Sequence, residues 1–355
     1  MATQVIRVDR LNPDPRHIDR AADLIKAGGT VAFPTETVYG LGANGLDEAA
    51  VRRVFAAKGR PADNPLILHI ASVADLPSLV LSVPAQAAAL AEAFWPGPLT
   101  LVLPRAERVP ALVSAGLPTV AVRMPSHPVA LALIRAARLP VAAPSANLSG
   151  RPSPTTAGHV LADLDGRIDM ILDGGPTAVG VESTVLDLSS PQPTLLRPGG
   201  VTVEMLTDVI GPVAIAPGAT ADPRAGTVAR PRSPGMKYRH YAPAAPLTLV
   251  EGEAEAVAVK VEALLAEQRA AGKRVAALVS AELAGRLARD AAAVIAVLGQ
   301  RRDPATMAAN LFARLRELDA AGVEAIVAEG YSEAGVGLAL MNRLRRAAGG
   351  RIVYA

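Results

Sequence analysis

The chain has 355 residues, half of them hydrophobic and 19% charged, which is enough apolar material for two cores and rules out a disordered chain. With 36 basic against 33 acidic residues the net charge is +3, too weak a field to argue for nucleic-acid binding, and only five of the basic residues are Lys. Cysteine is absent, which excludes disulfides, thiolate nucleophiles and Cys-ligated zinc or iron–sulfur centres.

The N-terminal MATQVIRVDR has no apolar core of the signal-peptide kind, and no apolar run approaches the ~20 residues of a membrane span, so a soluble cytoplasmic protein is expected. A helix over 17–27 leads through Gly28-Gly29 into the strand TVAF, followed by a helix over 47–57 and the strand LILHI. A helix over 85–94, strands TLVLP and TVAVRM, a helix over 129–137, strand PVAAPS and a helix over 156–164 come next. Strands DMILD, STVLDL and TLLR then follow with few helices between them. The stretch from Pro212 to Pro246 carries seven prolines and no hydrophobic period, and reads as a linker. Beyond it, LTLV, VAALVS, AVIAVL, AIVAE and RIVY alternate with helices over 253–271, from 281, over 304–321 and over 338–348. The expected fold is therefore α/β. Residues 1–211 form a mixed twisted sheet with helices, 212–246 a linker, and 247–355 a small doubly wound, Rossmann-like parallel-sheet domain.

Within VYGLGANGL, Gly40, Gly42 and Gly45 have the spacing of a dinucleotide fingerprint. That fingerprint needs its first Gly at a strand tip, and here six residues separate the end of TVAF from Gly40, so a Gly-rich turn lining a ligand site fits better. Lys58-Gly59-Arg60-Pro61 has the composition of a helix C-cap, with Lys58 as a cation on the helix dipole. Around it, polar groups recur at strand ends: Thr35, Asn64 and His69, Arg123, Ser145 and Asn147, Ser183, and Arg197. Each alone is ordinary turn or surface chemistry. Together, with no Ser-His-Asp order, no paired acids and five histidines too scattered for a metal cage, they suit binding of anions and polar small molecules better than nucleophilic catalysis.

PTETVYGLG, KGRPADNPLILHI, WPGPLTLVL, AVRMPSHP, APSANLSG, ESTVLDL and LLRPGG, in this order, resemble the YrdC-like family. SPGMKYRHYAP and the α/β tail resemble its two-domain form. The resemblance implies a concave cavity in the first domain and a nucleotidyltransferase. That enzyme would condense L-threonine, bicarbonate and ATP to threonylcarbamoyl-adenylate and pyrophosphate. Mg²⁺ would ride on the ATP phosphates, and a downstream transferase would pass the carbamoyl group to a tRNA adenosine beside the anticodon. By motif, Lys58, Arg60, Ser145 and Asn147 match the catalytic tetrad. Arg60, Asn64, Thr119, Ser145, Ser153, Arg197 and Tyr241 match nucleotide contacts, and Thr35, His69, Arg123 and Ser183 match the threonine pocket. Lys237, Tyr238, His240 and Tyr241 form a candidate lid in the linker. Two other readings stay open. A nucleic-acid-binding module is disfavoured by ten aromatics in 355 residues. A related carbamoyltransferase is disfavoured by the missing cysteines of its zinc modules.

Overall fold

A computed structural model describes residues 2–221 and 241–355. Lys237, Tyr238 and His240 of the candidate lid lie outside the described residues. Eleven strands form one sheet, in the order Gln4–Arg7, Met170–Asp173, Val31–Pro34, Tyr39–Asn44, Val141–Ala142, Ile67–His69, Thr119–Arg123, Leu99–Pro104, Thr184–Asp187, Thr194–Arg197 and Ala214–Ile215. Parallel and antiparallel neighbours are mixed along it, for example Ile67–His69 parallel to Thr119–Arg123, which runs antiparallel to Leu99–Pro104. The expected mixed sheet is present, and its last strand reaches into the stretch read as linker.

Local chemistry explains the helix ends. Pro15–Lys26 starts where the Asp14 carboxylate accepts from the Arg16 amide and Pro15 occupies the first turn, two residues before the expected start. It buries Ile18, Ala21, Ala22 and Ile25, an i, i+3, i+4, i+7 stripe. Glu48–Lys58 is capped by Asp47 and stops at Gly59, whose φ of 59° is left-handed, as the C-cap reading requires.

The Gly-rich segment departs from expectation. It is a buried strand, Tyr39–Asn44, paired with Val31–Pro34 in the register Phe33↔Gly40. A Cβ on Gly42 would lie 2.7 Å from both the Phe33 ring and the Val141 side chain, so Gly42 admits close packing, while Gly40 lines a cavity. Strand PVAAPS shrinks to Val141–Ala142, and the helix from 281 is a single turn, Ala281–Ala284. Strand Gln4–Arg7 and helix Val203–Ile210 were not anticipated from the sequence.

The C-terminal sheet has five strands, all parallel, in the order Val294–Val297, Val275–Val279, Ala325–Glu329, Leu247–Glu251 and Ile352–Tyr354. Alternation along Val275–Val279 explains why both faces are covered. Val275, Ala277 and Val279 pack with Val257, Val261 and Leu265 of helix Ala254–Ala270. Ala276 and Leu278 face Leu311, Phe312 and Leu344 of helices Pro304–Ala320 and Gly337–Ala348. That second cluster also takes in Val38 and Val181 from the first domain and the Tyr241 ring, so the two domains share apolar packing. Among the described residues no helix is long and apolar enough to cross a membrane.

Candidate active site

One cavity gathers most of the strand-terminal polar groups. Thr35, Lys58, Arg60, His69, Arg123, Ser145, Asn147, Ser183, Arg197 and Tyr241 all line it. The sheet delivers them because Ile67 and His69, and Ala121 and Arg123, alternate onto the same face of neighbouring parallel strands. Ser145 follows the short strand Val141–Ala142 and bridges back to Gly40.

Lys58 is not a surface cation on a helix dipole. It is 2% exposed, and its ammonium donates to the carbonyls of Ser145 and Asn147. Burial, and then the Arg60 charge, pull its pKa well below the ordinary lysine value. Arg60 donates to the carbonyls of Asn64, at 3.2 Å, and Pro65, at 2.9 Å, and burial lowers its pKa to about 10. Arg197 clasps Ser183, through Nε to the carbonyl at 3.1 Å and Nη2 to Oγ at 3.2 Å, while Ser183 Oγ also meets Thr100 Oγ1 at 2.7 Å. Burial lowers the Arg197 pKa as well. Lys58, Arg60 and Arg197 thus share this end of the cavity, partly stripped of water. The side-chain amide oxygen of Asn147 there is buried without a partner, while its NH₂ is held by the carbonyls of Leu148 and Arg151.

At the other end, Arg123 is 3% exposed and three of its five N–H groups are taken. Nε donates to Gly97 O at 3.2 Å, Nη1 to Thr37 Oγ1 at 2.9 Å and Nη2 to Glu36 Oε1 at 2.6 Å. Two remain for a ligand. His69 beside it is buried, with Nδ1 unpartnered and its pKa lowered to about 3 by burial and then by the Arg123 charge, so the ring is neutral. The Thr35 hydroxyl donates to Val38 O at 2.7 Å and closes the turn between two strands.

Three expected nucleotide contacts do not line this cavity. Thr119 shares a face with Arg123 but lies four residues back along the strand, roughly 13 Å at the usual rise. Asn64 is buried behind Arg60, and Ser153 is fully buried and hydrogen-bonded to Glu182. Conversely, Glu36 and Thr37, which brace Arg123, and Glu182, which lines the cavity, stand at strand ends in the sequence but are not among the expected site residues. Their signal is that position beside Thr35 and Ser183.

Fold and site together define a two-domain α/β protein whose first sheet carries a cavity suited to a polyanion and a small polar ligand. Residues 23–199 match the family described as telomere recombination, the Sua5, YciO and YrdC proteins, and residues 201–349 match the threonylcarbamoyl-AMP synthase C-terminal domain. The chain is 53% identical to the threonylcarbamoyl-AMP synthase of Pyrococcus abyssi over 94% of each chain, and 50% identical to that of Bacillus subtilis over 97% of this chain and 96% of the relative. Its structure resembles the crystal structure of P. abyssi Sua5 complexed with L-threonine, with a TM-score of 0.93, 51% identity, and 99% of this chain and all of that one covered. The chain belongs to the threonylcarbamoyl-AMP synthase family of Sua5 and YrdC proteins.

Proposed function

We propose that this enzyme condenses L-threonine, bicarbonate and ATP to threonylcarbamoyl-adenylate and pyrophosphate. The observation that carries the reading is the clustering of Lys58, Arg60, Arg123 and Arg197 around one cavity with Ser and Asn groups between them. Desolvated cations at close quarters repel one another, and a polyphosphate relieves that repulsion. The names and lengths of the relatives support the same assignment.

Arg123, Thr35, His69 and Ser183 hold threonine, whose carboxylate takes the two spare N–H groups of Arg123. The neutral His69 ring can accept or donate a hydrogen bond without adding charge beside Arg123. Threonine's amine attacks bicarbonate, a C–N bond forms and water leaves, giving a carbamate. A carbamate oxygen then attacks the α-phosphorus of ATP, and the bond to pyrophosphate breaks. The residues at the other end of the cavity, Lys58, Arg60, Ser145, Asn147 and Arg197, take the nucleotide. Their part is to align the two anions and to balance charge as pyrophosphate departs. Asn64 orients Arg60 through its carbonyl and Ser153 lies under Glu182, while Thr119, away from the cavity, has no part in this scheme.

Mg²⁺ supplies further charge neutralisation on the phosphates. Among the described residues, the cavity is lined by Lys, Arg, Ser and Asn side chains with a single carboxylate, Glu182, a set that suits a metal carried by the nucleotide. In this scheme residues 1–211 carry the chemistry and 212–246 join them to the domain of 247–355. The product, an activated carbamoyl group, serves a tRNA-modifying transferase in the cytoplasm. Pyrophosphate release with each of ATP, threonine and bicarbonate omitted in turn tests the reading, and release that persists without threonine or bicarbonate overturns it.

A further inference from the structure

Helix Gly337–Ala348 of the second domain is buried along almost its whole length although it carries Asn342, Arg343, Arg345 and Arg346. Arg345 pairs within its own domain, with Glu251 at 2.8 Å. Arg343 leaves its domain. Its side chain is fully buried, and its Nε donates to Glu182 Oε2 at 2.9 Å. Its Nη1 donates to Pro198 O at 2.7 Å, and its guanidinium carbon lies 5.6 Å from the centroid of the Tyr241 ring.

Glu182 is the one acid among the described residues that line the cavity, facing Lys58, Arg60, Arg123 and Arg197. Both of its oxygens are engaged, Oε1 by the Ser153 hydroxyl and Oε2 by Arg343. Burial opposes its charge, yet Arg343 and then Arg197 outweigh burial and hold its pKa below the usual carboxylate range. The carboxylate is therefore ionised on the wall of a site that takes a polyphosphate. A buried ion pair adds little net stability compared with an apolar pair of the same size, so stability alone gives weak reason to place one on this wall.

We infer that Arg343 is a positioning residue by which the second domain completes the nucleotide site, holding Glu182 against Ser153 and cancelling its charge where ATP must bind. This rests on the function proposed above and gives the second domain a part in it. Without Arg343, the Glu182 carboxylate is left facing the phosphates, or takes a proton and releases Ser153. Threonine, bound at Arg123, is less affected. The inference separates charge from packing, because removing both charges restores a neutral wall without rebuilding the ion pair.

The experiment compares full-length wild type, Arg343→Met and Arg343→Met/Glu182→Gln in pyrophosphate release, with thermal melting as the check on folding. In Arg343→Met the KM for ATP should rise roughly tenfold or more while the KM for threonine moves less than about threefold. In the double variant the KM for ATP should return to within about threefold of wild type. A single variant with an unchanged KM for ATP, or a double variant no better than the single one, overturns the inference. If Arg343→Met does not fold, Arg343→Gln carries the same loss of charge and is read in its place. Equilibrium titration of the three proteins with ATP alone gives the same comparison independently of turnover. A wild type that binds ATP but makes no pyrophosphate from the three substrates overturns the functional reading instead.

Discussion

At Lys58 a cation that sequence alone assigns to a helix end is enclosed by carbonyls, and this changes what its removal does. Lys58→Ala strips two buried carbonyls of their donor, at about 1–3 kcal/mol of stability. It also removes a positive group from the phosphate end, which should lower kcat/KM about 100-fold or more. Urea unfolding and pyrophosphate release measure the two losses. Arg123→Lys should raise the KM for threonine by about 10- to 100-fold, since an ammonium cannot brace Gly97, Thr37 and Glu36 and still present two N–H groups to a carboxylate. The KM for ATP should move much less, and equal shifts in both would take Arg123 out of the amino-acid end. His69 makes a pH-dependent contribution of definite sign. Its folded pKa of about 3 lies below the ordinary 6.5, so the unfolded chain takes up the proton first. Stability is then complete above pH ~6.5 and falls as pH drops toward 3, by about 1.4 kcal/mol per pH unit from this residue. Melting curves from pH 7.5 to 4 should show a shallower decline for His69→Asn than for wild type.

Among the elements, strand Tyr39–Asn44 tests whether its glycines serve packing or ligand. Gly42→Ala forces a methyl against Phe33 and Val141, which calls for about 1–3 kcal/mol of destabilisation in a thermal melt. The fraction that stays folded should keep its KM for ATP, because Gly42 does not line the cavity. A raised KM for ATP with an unchanged melt would instead mark a phosphate loop. The same strand shows what the sequence conceals. Strand Thr194–Arg197 and helix Ala85–Phe94 are legible to the residue, since apolar periodicity and flanking prolines bound them. Tyr39–Asn44 is not, because glycine has low strand propensity and its pairing depends on Phe33 and Val141 from distant segments. In the site, polar residues at strand ends are legible as a group, and the cavity does collect Thr35, Lys58, Arg60, His69, Arg123, Ser145 and Arg197. What joins them is less so. The Glu36–Arg123 and Glu182–Arg343 pairs span 87 and 161 residues, and no local pattern announces either.

Across the whole molecule, the seam between domains is held by a few directional contacts around apolar plugs. Arg316 of the second domain reaches Asp163 at 2.8 Å and the Pro152 carbonyl at 2.6 Å, while Val38 and Val181 of the first pack with Leu311 and Phe312. Between these lies Gly180, whose φ is 72° and whose added Cβ would stand 2.3 Å from the Ala309 carbonyl oxygen and 2.4 Å from Ala309 Cα. Both obstacles are backbone in helix Pro304–Ala320, so no rotamer change relieves them. Gly180→Val also puts a β-branched residue into left-handed backbone. The expected result is a wedge: the two sheets stay folded, each on its own core, while the seam opens. Calorimetry should then resolve two transitions or one markedly broadened one, and trypsin should cut between the domains sooner than in wild type. If Arg343 acts through Glu182, this variant, which touches neither residue, should also raise the KM for ATP more than that for threonine. A wedge that opens the seam yet leaves ATP binding unchanged would confine the second domain to holding the fold together.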